Sequence, residues 1–377
     1  MNNNFSSLRT LLISFLNKEE GDSGWSVLAP SVHSLDDLTP FEKTLLPLAY
    51  DRWRQSGRNV ENMQVLRGIN RKTLVRNRLF LIECSKILQD LRAAQIDVLV
   101  FKSGGLLGRL LPEKGVRAIA DIDVWVRPSQ IDLALQMLGC PGEGPSSSHH
   151  AVAIDLPSGL QLDLHVLPSH IYPLRFATKQ AGETLFDMAY RRSDAGVLST
   201  SDLLYYSFLN PLFAHSPGEG RAAFALLELN EALSASSMTD DVLRDVSRRI
   251  QDDQTAAVFL EHYEWLGAGL SPNLDWFISI AVAPAATQRD LKLVRTLSCQ
   301  VSKAKGQSEH ESWLRYHARC HLLASRTPLT GRVGIYAAVV NRHYRSLRHN
   351  PGMLFLWLSR RKSWERLWKI GRDIMGV

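Results

Sequence analysis

The chain has 377 residues, of which 45% are hydrophobic and 22% charged, which is typical of a soluble globular protein with more than one core. No apolar run reaches the roughly 18 residues that a membrane-spanning helix needs, and no secretory signal pattern opens the chain. Its four cysteines form no C-x-x-C pair. We therefore expect a cytoplasmic protein in a reducing environment.

The net charge of +6 is concentrated near the C terminus. From Gly331 to the end the chain has ten Lys or Arg and two acidic residues, so this segment carries +8 and the rest of the chain −2. The basic character therefore belongs to the C-terminal segment and does not indicate a general affinity for nucleic acid.

In chain order, two helices lead into a predicted buried strand. Apolar residues at helical spacing begin at Leu45 and recur between Leu74 and Ala94. The β-branched and aromatic run Val98–Phe101 then suits a buried strand. We expect the next four residues, Lys-Ser-Gly-Gly, to form a turn before a short helical segment.

A second strand, ending at Val126, carries Asp121 and Asp123 on one side, because alternate residues of a strand point to the same face. A helix is predicted over residues 131–138, and the Gly-, Pro- and Ser-rich residues 139–150 predict a mobile loop. Residues 151–156 and 160–166 predict a hairpin whose second strand places Asp163 and His165 on one face.

Beyond Pro168 the sequence turns helical, and Ser199-Thr200-Ser201-Asp202 has the short oxygen-bearing side chains that start a helix. The predicted helices are 181–190, 201–213, 220–233 and 240–252, with others to about residue 323. The expected fold class is therefore α+β, with a small mixed sheet flanked by helices. The expected division is an N-terminal helical segment (1–75), a sheet-bearing core (76–175), a helical domain (176–330) and a basic amphipathic tail (331–377).

The core has three carboxylates that predict metal-dependent chemistry, Asp121, Asp123 and Asp163. Neighbouring carboxylates raise each other's pKa unless a cation balances them, and carboxylate oxygens suit Mg²⁺. Metal ions held this way assist phosphoryl and nucleotidyl transfer, which needs the triphosphate neutralised and a hydroxyl aligned with it. The turn at Lys102, Ser103, Gly104 and Gly105 would let backbone N–H groups approach phosphate oxygens.

These residues resemble a bacterial family of uncharacterised nucleotidyltransferases within the polymerase-β-type superfamily. That family shows a strand ending in Leu-Lys-Gly, an Arg shortly before Asp-x-Asp, and a later Asp-Leu-His segment. The matching positions here are Lys102, Arg117, Asp121, Asp123, Asp163 and His165. The resemblance covers roughly residues 40 to 235, with one departure, since Ser103 stands where the family usually has glycine.

The resemblance implies a nucleotidyltransferase core that moves a nucleoside monophosphate from an NTP, with ATP the expected donor, to an acceptor hydroxyl. Mg²⁺ or Mn²⁺ is the implied cofactor, held by Asp121, Asp123 and Asp163. The acceptor class stays open between a small molecule, a protein and an RNA end. The helices beyond the core would contribute acceptor contacts, for which His215, Glu228 and Asn230 are candidates.

Some assignments have structural alternatives. Lys102 is either a phosphate ligand or a solvated lysine at a strand end. Arg117 either binds triphosphate or pairs with an aspartate, and His165 is either a structural histidine or a group that acts as a ligand or orients the acceptor. The alternative for the whole protein is a non-catalytic binding protein with the same fold that acts through its helices and tail.

The remaining histidine motifs are weaker signals. His317 and His321 have the i, i+4 spacing that zinc sites use, but a polar helix surface explains them equally well. His149 and His150 fall in the predicted loop.

In the tail, Trp357, Trp364 and Trp368 recur among basic residues. Such a helix is a candidate contact to an anionic membrane surface or to nucleic-acid phosphates, or it packs its tryptophans inside the protein.

Overall fold

The structure is a computed structural model that describes residues 38–294 and the single positions Glu365, Trp368 and Arg372. Gaps in this range fall at residues 39, 56, 58–61, 110–117, 120, 143–150, 157–158, 160, 170–178, 215–219, 236, 267–270, 288–289 and 293.

Helices enclose a four-stranded sheet in the described part of the chain. The elements are α1 (Pro40–Gln55), α2 (Met63–Ala93), β1 (Val98–Phe101), α3 (Lys102–Arg109), β2 (Asp121–Val126), α4 (Ile131–Met137), β3 (Ala151–Asp155), β4 (Gln161–His165), α5 (Lys179–Arg192), α6 (Thr200–Ala214), α7 (Gly220–Leu233), α8 (Asp240–Asp253), α9 (Ala256–Leu266) and α10 (Pro272–Phe277), followed by a π-helical turn (Ile278–Val282) and a 3₁₀ turn (Ala283–Ala285). None of the helices within the described residues combines the length and the apolar character needed to cross a membrane.

The sheet has the strand order β1-β2-β4-β3 and is mixed. Strand β1 runs antiparallel to β2, β2 runs parallel to β4, and β3 and β4 form the antiparallel hairpin that the sequence predicts. The expected α+β class with a small mixed sheet is thus confirmed. The four-part division of the chain stays a prediction.

Helix α2 shows why the long helical pattern forms one continuous element. Its buried positions recur every three or four residues and form a single stripe: Leu66, Asn70, Thr73, Asn77, Phe80, Cys84, Leu88 and Leu91. Two polar members of the stripe are satisfied inside the protein. The amide of Asn70 donates to the carbonyl of Pro47 at 3.1 Å, and the side-chain oxygen of Asn77 accepts from the backbone N–H of Ile119 at 3.0 Å.

The free edge of β1 is covered by the turn that joins α5 to α6. Val100 exchanges backbone hydrogen bonds with this turn through the carbonyl of Gly196 and the N–H of Leu198. Gly196 has a φ of +77°, and a Cβ at this position would lie 3.0 Å from the carbonyl oxygen of Val98. Only glycine fits this turn against the strand without strain.

One face of the sheet packs against helices through an aromatic cluster around Trp125. The Trp125 ring meets Phe186 of α5 and Tyr206 of α6 edge-to-face, and its Nε1–H donates to the carbonyl of Val166 at 3.1 Å. Arg127, just beyond β2, pairs with Asp97 and Asp187 and so ties α5 to the sheet. These contacts close one end of this face and leave the aspartate-bearing end to form a site.

The helices predicted between residues 131 and 252 are confirmed to within two residues, whereas α2 begins eleven residues before the predicted start at Leu74. Ser199 caps α6 as expected, its hydroxyl accepting from the N–H of Asp202 at 3.2 Å. The predicted turn at residues 102–105 is wrong, because these residues form the first turn of α3. A Cβ on Gly105 would lie 2.6 Å from Leu203, so this glycine serves the close packing of α3 on α6.

Other sequence predictions fall on residues that the structure does not describe. Most of the predicted 139–150 loop, the helices beyond residue 294 and nearly all of the tail lie outside the described residues. Of the three tail tryptophans, Trp368 is described, and its side chain is 68% exposed.

Candidate active site

The strand register gathers the predicted acidic residues on one face of the sheet. Asp123 of β2 pairs directly with Asp163 of the parallel strand β4. Asp121 lies two residues before Asp123 on β2 and therefore on the same face of the sheet. His165 lies two residues beyond Asp163 and shares its face. On the neighbouring strand the residues opposite Asp163 and His165 are alanines, Ala153 and Ala151, whose small side chains leave room above the carboxylates.

Lys102 enters this site from the end of β1. Phe101 pairs with Asp123 across the antiparallel ladder, so the next residue lies beside the aspartate. Lys102 has a φ of +50°, a left-handed conformation that is uncommon for a residue with a side chain. Its Nζ donates to Oδ1 of Asp123 at 2.5 Å and lies 3.5 Å from Nε2 of His165.

His165 is buried and has an oxygen at each ring nitrogen. Nδ1 is 3.3 Å from the carbonyl oxygen of Leu167, and Nε2 is 2.9 Å from Oδ1 of Asp123. A neutral imidazole has one N–H, so one of these contacts must join a nitrogen lone pair to an oxygen. The contact to Asp123 is the shorter of the two, and with the proton on Nε2 the ring donates a hydrogen bond to this carboxylate.

The site shifts the pKa of three of its groups. Burial raises the pKa of Asp123, but the charge of Lys102 and the hydrogen bond from His165 outweigh it and lower the value to about 2. Burial, together with the charges of Asp123 and Asp121, raises the pKa of Asp163 to about 6. Burial and the charge of Lys102 lower the pKa of His165 to about 4, so its ring is neutral near pH 7.

Asp123, Asp163 and His165 form the one group of potential metal ligands found among the described residues, with their ligand atoms all within 4.8 Å of one another. Two carboxylate oxygens and an imidazole nitrogen are donors that suit Mg²⁺ or Mn²⁺, with the nitrogen favouring Mn²⁺. Among the described residues of the site, three aspartates and one lysine carry a net charge of −2, which a divalent cation would balance. The residues therefore fit the metal that the sequence implies.

The other predicted site residues are placed differently or not described. Ser103, Gly104 and Gly105 form the first turn of α3, whose N-terminal N–H groups point towards the site end of β1. Arg117, His149, His150, His215, His317 and His321 lie outside the described residues. In α7, Asn230 accepts a hydrogen bond from Ser271, the N-cap of α10, so this side chain holds two helices together. Glu228, on the same helix, is buried.

Sequence reasoning missed two features of the site. It left His165 between a structural role and a role as a ligand or acceptor-orienting group, and counted only the three aspartates as metal donors, although the Asp-Leu-His alternation already placed it beside Asp163 on one face. It also missed the contact between Lys102 and Asp123, because strand pairing, which sequence spacing does not specify, puts the end of β1 next to the middle of β2.

Comparison with known proteins gives one match. Residues 41–251, more than half of the chain, match the family model described as uncharacterised nucleotidyltransferase. No curated protein and no solved structure matches the chain. The matched range contains all four strands and every residue of the site described above, so the chain belongs to this uncharacterised nucleotidyltransferase family.

Proposed function

We propose that the protein transfers a nucleoside monophosphate from an NTP, with ATP the expected donor, to a hydroxyl group of an acceptor, as enzymes of the polymerase-β-type superfamily do. The proposal rests mainly on the geometry of Asp123, Asp163 and His165, whose potential ligand atoms lie within 4.8 Å of one another and beside Lys102. Membership of a nucleotidyltransferase family supports it.

The acidic residues have distinct roles in this proposal. Asp121, Asp123 and Asp163 hold Mg²⁺ or Mn²⁺, which when bound neutralises the triphosphate and polarises its α-phosphorus. Asp123 is nearly inaccessible to solvent, whereas Asp163 is partly exposed and has a pKa raised to about 6. Asp163 is therefore the carboxylate placed to accept the proton of an acceptor hydroxyl.

The phosphate-binding groups lie at the start of α3. Backbone N–H groups of Ser103, Gly104 and Gly105 at this helix N terminus favour anionic phosphate oxygens. The ammonium of Lys102 and the guanidinium of Arg117 add positive charge. The acceptor oxygen attacks the α-phosphorus, the bond from that phosphorus to the bridging oxygen breaks, and pyrophosphate leaves with the electron pair.

The test uses ATP labelled on the α-phosphate and, in parallel, on the γ-phosphate, with Mg²⁺ or Mn²⁺ and a panel of hydroxylated metabolites, proteins and RNA. The proposal expects label from the α-position to reach an acceptor and label from the γ-position to leave as pyrophosphate. Transfer of the γ-label instead would identify a kinase.

Asp123→Asn and Asp163→Asn should each lower the transfer rate at least about hundred-fold, because each removes a metal ligand. The matched control is Asp132→Asn, an exposed aspartate in the first turn of α4 that should leave transfer unchanged. Full activity in both site variants would contradict the assignment. Nucleotide and metal binding without transfer to any acceptor would favour a non-catalytic binding protein.

A further inference from the structure

The ammonium of Lys102 lies among the proposed metal ligands. Its Nζ contacts Asp123 at 2.5 Å and lies 3.5 Å from His165, and these two residues supply two of the three donors of the site. An ammonium at this position and a divalent cation bound to the same Oδ1 would be only a few ångströms apart and would repel each other strongly in so buried a place.

We propose that Lys102 is an internal stand-in for the metal. In the protein without nucleotide, its ammonium occupies the cation position between Asp123 and His165. When a nucleotide enters, the ammonium leaves Asp123 for the phosphates, and the metal takes its place. Metal therefore binds together with nucleotide and only weakly before it. This inference rests on the proposed function, since it concerns the same site.

The buried carboxylate explains why a stand-in is needed. Asp123 is 2% exposed, and an ionised carboxylate this deep is costly unless a positive charge pairs with it. Exchange of one cation for another keeps the Asp123 carboxylate paired with and without ligand.

The side chain of Lys102 can make this exchange, whereas its backbone stays in place. The side chain is 15% exposed and ends in a compact charge on a flexible four-carbon stem. The residue sits at the N terminus of α3, where the proposed phosphate site begins, so rotation of the stem is enough to move Nζ from Asp123 towards a phosphate.

The direct test measures Mn²⁺ binding to the full chain without nucleotide, from the loss of the free Mn²⁺ signal in electron paramagnetic resonance. Lys102→Met and Lys102→Gln remove the ammonium, and each should bind Mn²⁺ at least about ten-fold more tightly than the wild type. Lys102→Arg keeps a positive charge at the position and should bind Mn²⁺ as weakly as the wild type.

Two controls show that a gain comes from the site. Adding Asp123→Asn to Lys102→Met should abolish the tighter Mn²⁺ binding. Thermal unfolding with and without Mn²⁺ checks that each variant is folded, and Lys102→Gln, which retains a hydrogen-bond donor for Asp123, serves if the Met variant does not fold. The inference is overturned if neither Lys102→Met nor Lys102→Gln binds Mn²⁺ more tightly than the wild type.

The outcomes separate this inference from the proposed function. The Mn²⁺ measurement needs neither nucleotide nor acceptor, so tighter binding in the neutral variants supports the stand-in role even if no transfer is found. If the wild type transfers label from the α-phosphate but the neutral variants gain no Mn²⁺ affinity, the stand-in role is overturned and the proposed function stands.

Discussion

At the scale of single residues, His165 and His262 are both buried but have different neighbours. His165 lies between Asp123 and the carbonyl of Leu167, whereas Nε2 of His262, in α9, contacts the carbonyl of Leu212 at 2.7 Å. Burial of a histidine therefore does not by itself indicate a functional role. His165 is a candidate site residue because carboxylates lie beside it.

His165→Asn tests whether the imidazole belongs to the metal site. Loss of a ligand or of its supporting group lowers metal affinity by roughly ten- to hundred-fold, so the Mn²⁺ concentration needed for half-maximal ATP binding should rise by that factor. The shift should be smaller with Mg²⁺, which prefers oxygen to nitrogen donors. Calorimetric titration of ATP at a series of metal concentrations measures both.

The control is His262→Asn, in a helix that contributes no residue to the site. It should lower the free energy of unfolding and leave the metal requirement unchanged. Equal metal requirements in the wild type and His165→Asn would exclude His165 as a metal ligand.

At the scale of elements, a buried ionic network joins three helices. The carboxylate of Asp202 in α6 is fully buried and accepts two hydrogen bonds from Arg192 of α5, at 3.1 and 3.2 Å, and another from Arg249 of α8. The hydroxyl of Ser199 donates to it at 2.7 Å, so the residue also takes part in capping α6. Because α6 packs on α3 through Leu203 and Gly105, this network holds the helix that supports the start of α3.

Asp202→Asn should lower the free energy of unfolding by about 1–3 kcal/mol, since Arg192 loses its counter-ion and Arg249 keeps the longer contact to Asp245 at 3.4 Å. The matched control is Asp241→Asn, which breaks a pair with Arg244 in which the carboxylate is 88% exposed and should cost at most about 1 kcal/mol. Urea unfolding followed by circular dichroism measures both. Similar losses in the two variants would mean that the network does not stabilise the helix junction.

At the scale of the whole molecule, the rate at which the Cys84 thiol is alkylated measures unfolding. Its side chain lies in the buried stripe of α2, and burial raises the pKa of the thiol to about 12. The thiolate is the reactive form, so at pH 8 the folded protein keeps this thiol protonated as well as inaccessible. Cys140, which is partly exposed, is the internal comparison.

Iodoacetamide at pH 8 should label Cys140 in the folded protein and Cys84 only through unfolding, as peptide mass spectrometry can measure. ATP with Mg²⁺ at about a hundred times the dissociation constant should stabilise the fold by about 2.7 kcal/mol and slow Cys84 labelling about hundred-fold. Labelling of Cys84 at the rate of Cys140, or an unchanged rate with ATP and Mg²⁺, would contradict this prediction.

Much of the fold was readable from local patterns. Periodicity predicts α2 and the helices from α5 to α8, the Pro-Ser-Gly link predicts the β3–β4 hairpin, and Ser199 marks the start of α6, because propensity, capping and amphipathic spacing act over a few residues. The prediction of a turn at Lys102 is wrong because of tertiary packing. Its two glycines are typical of a loop, but close packing of α3 against Leu203 requires a glycine inside a helix.

The sequence by itself determined which residues are candidates for the proposed chemistry, since alternation along a strand already places Asp121 with Asp123 and Asp163 with His165. Only the tertiary structure decided that these pairs meet, through the parallel pairing of β2 with β4, and that Lys102 lies against Asp123. The physical reason is that strand register and order depend on contacts between residues about forty positions apart, which no local spacing encodes.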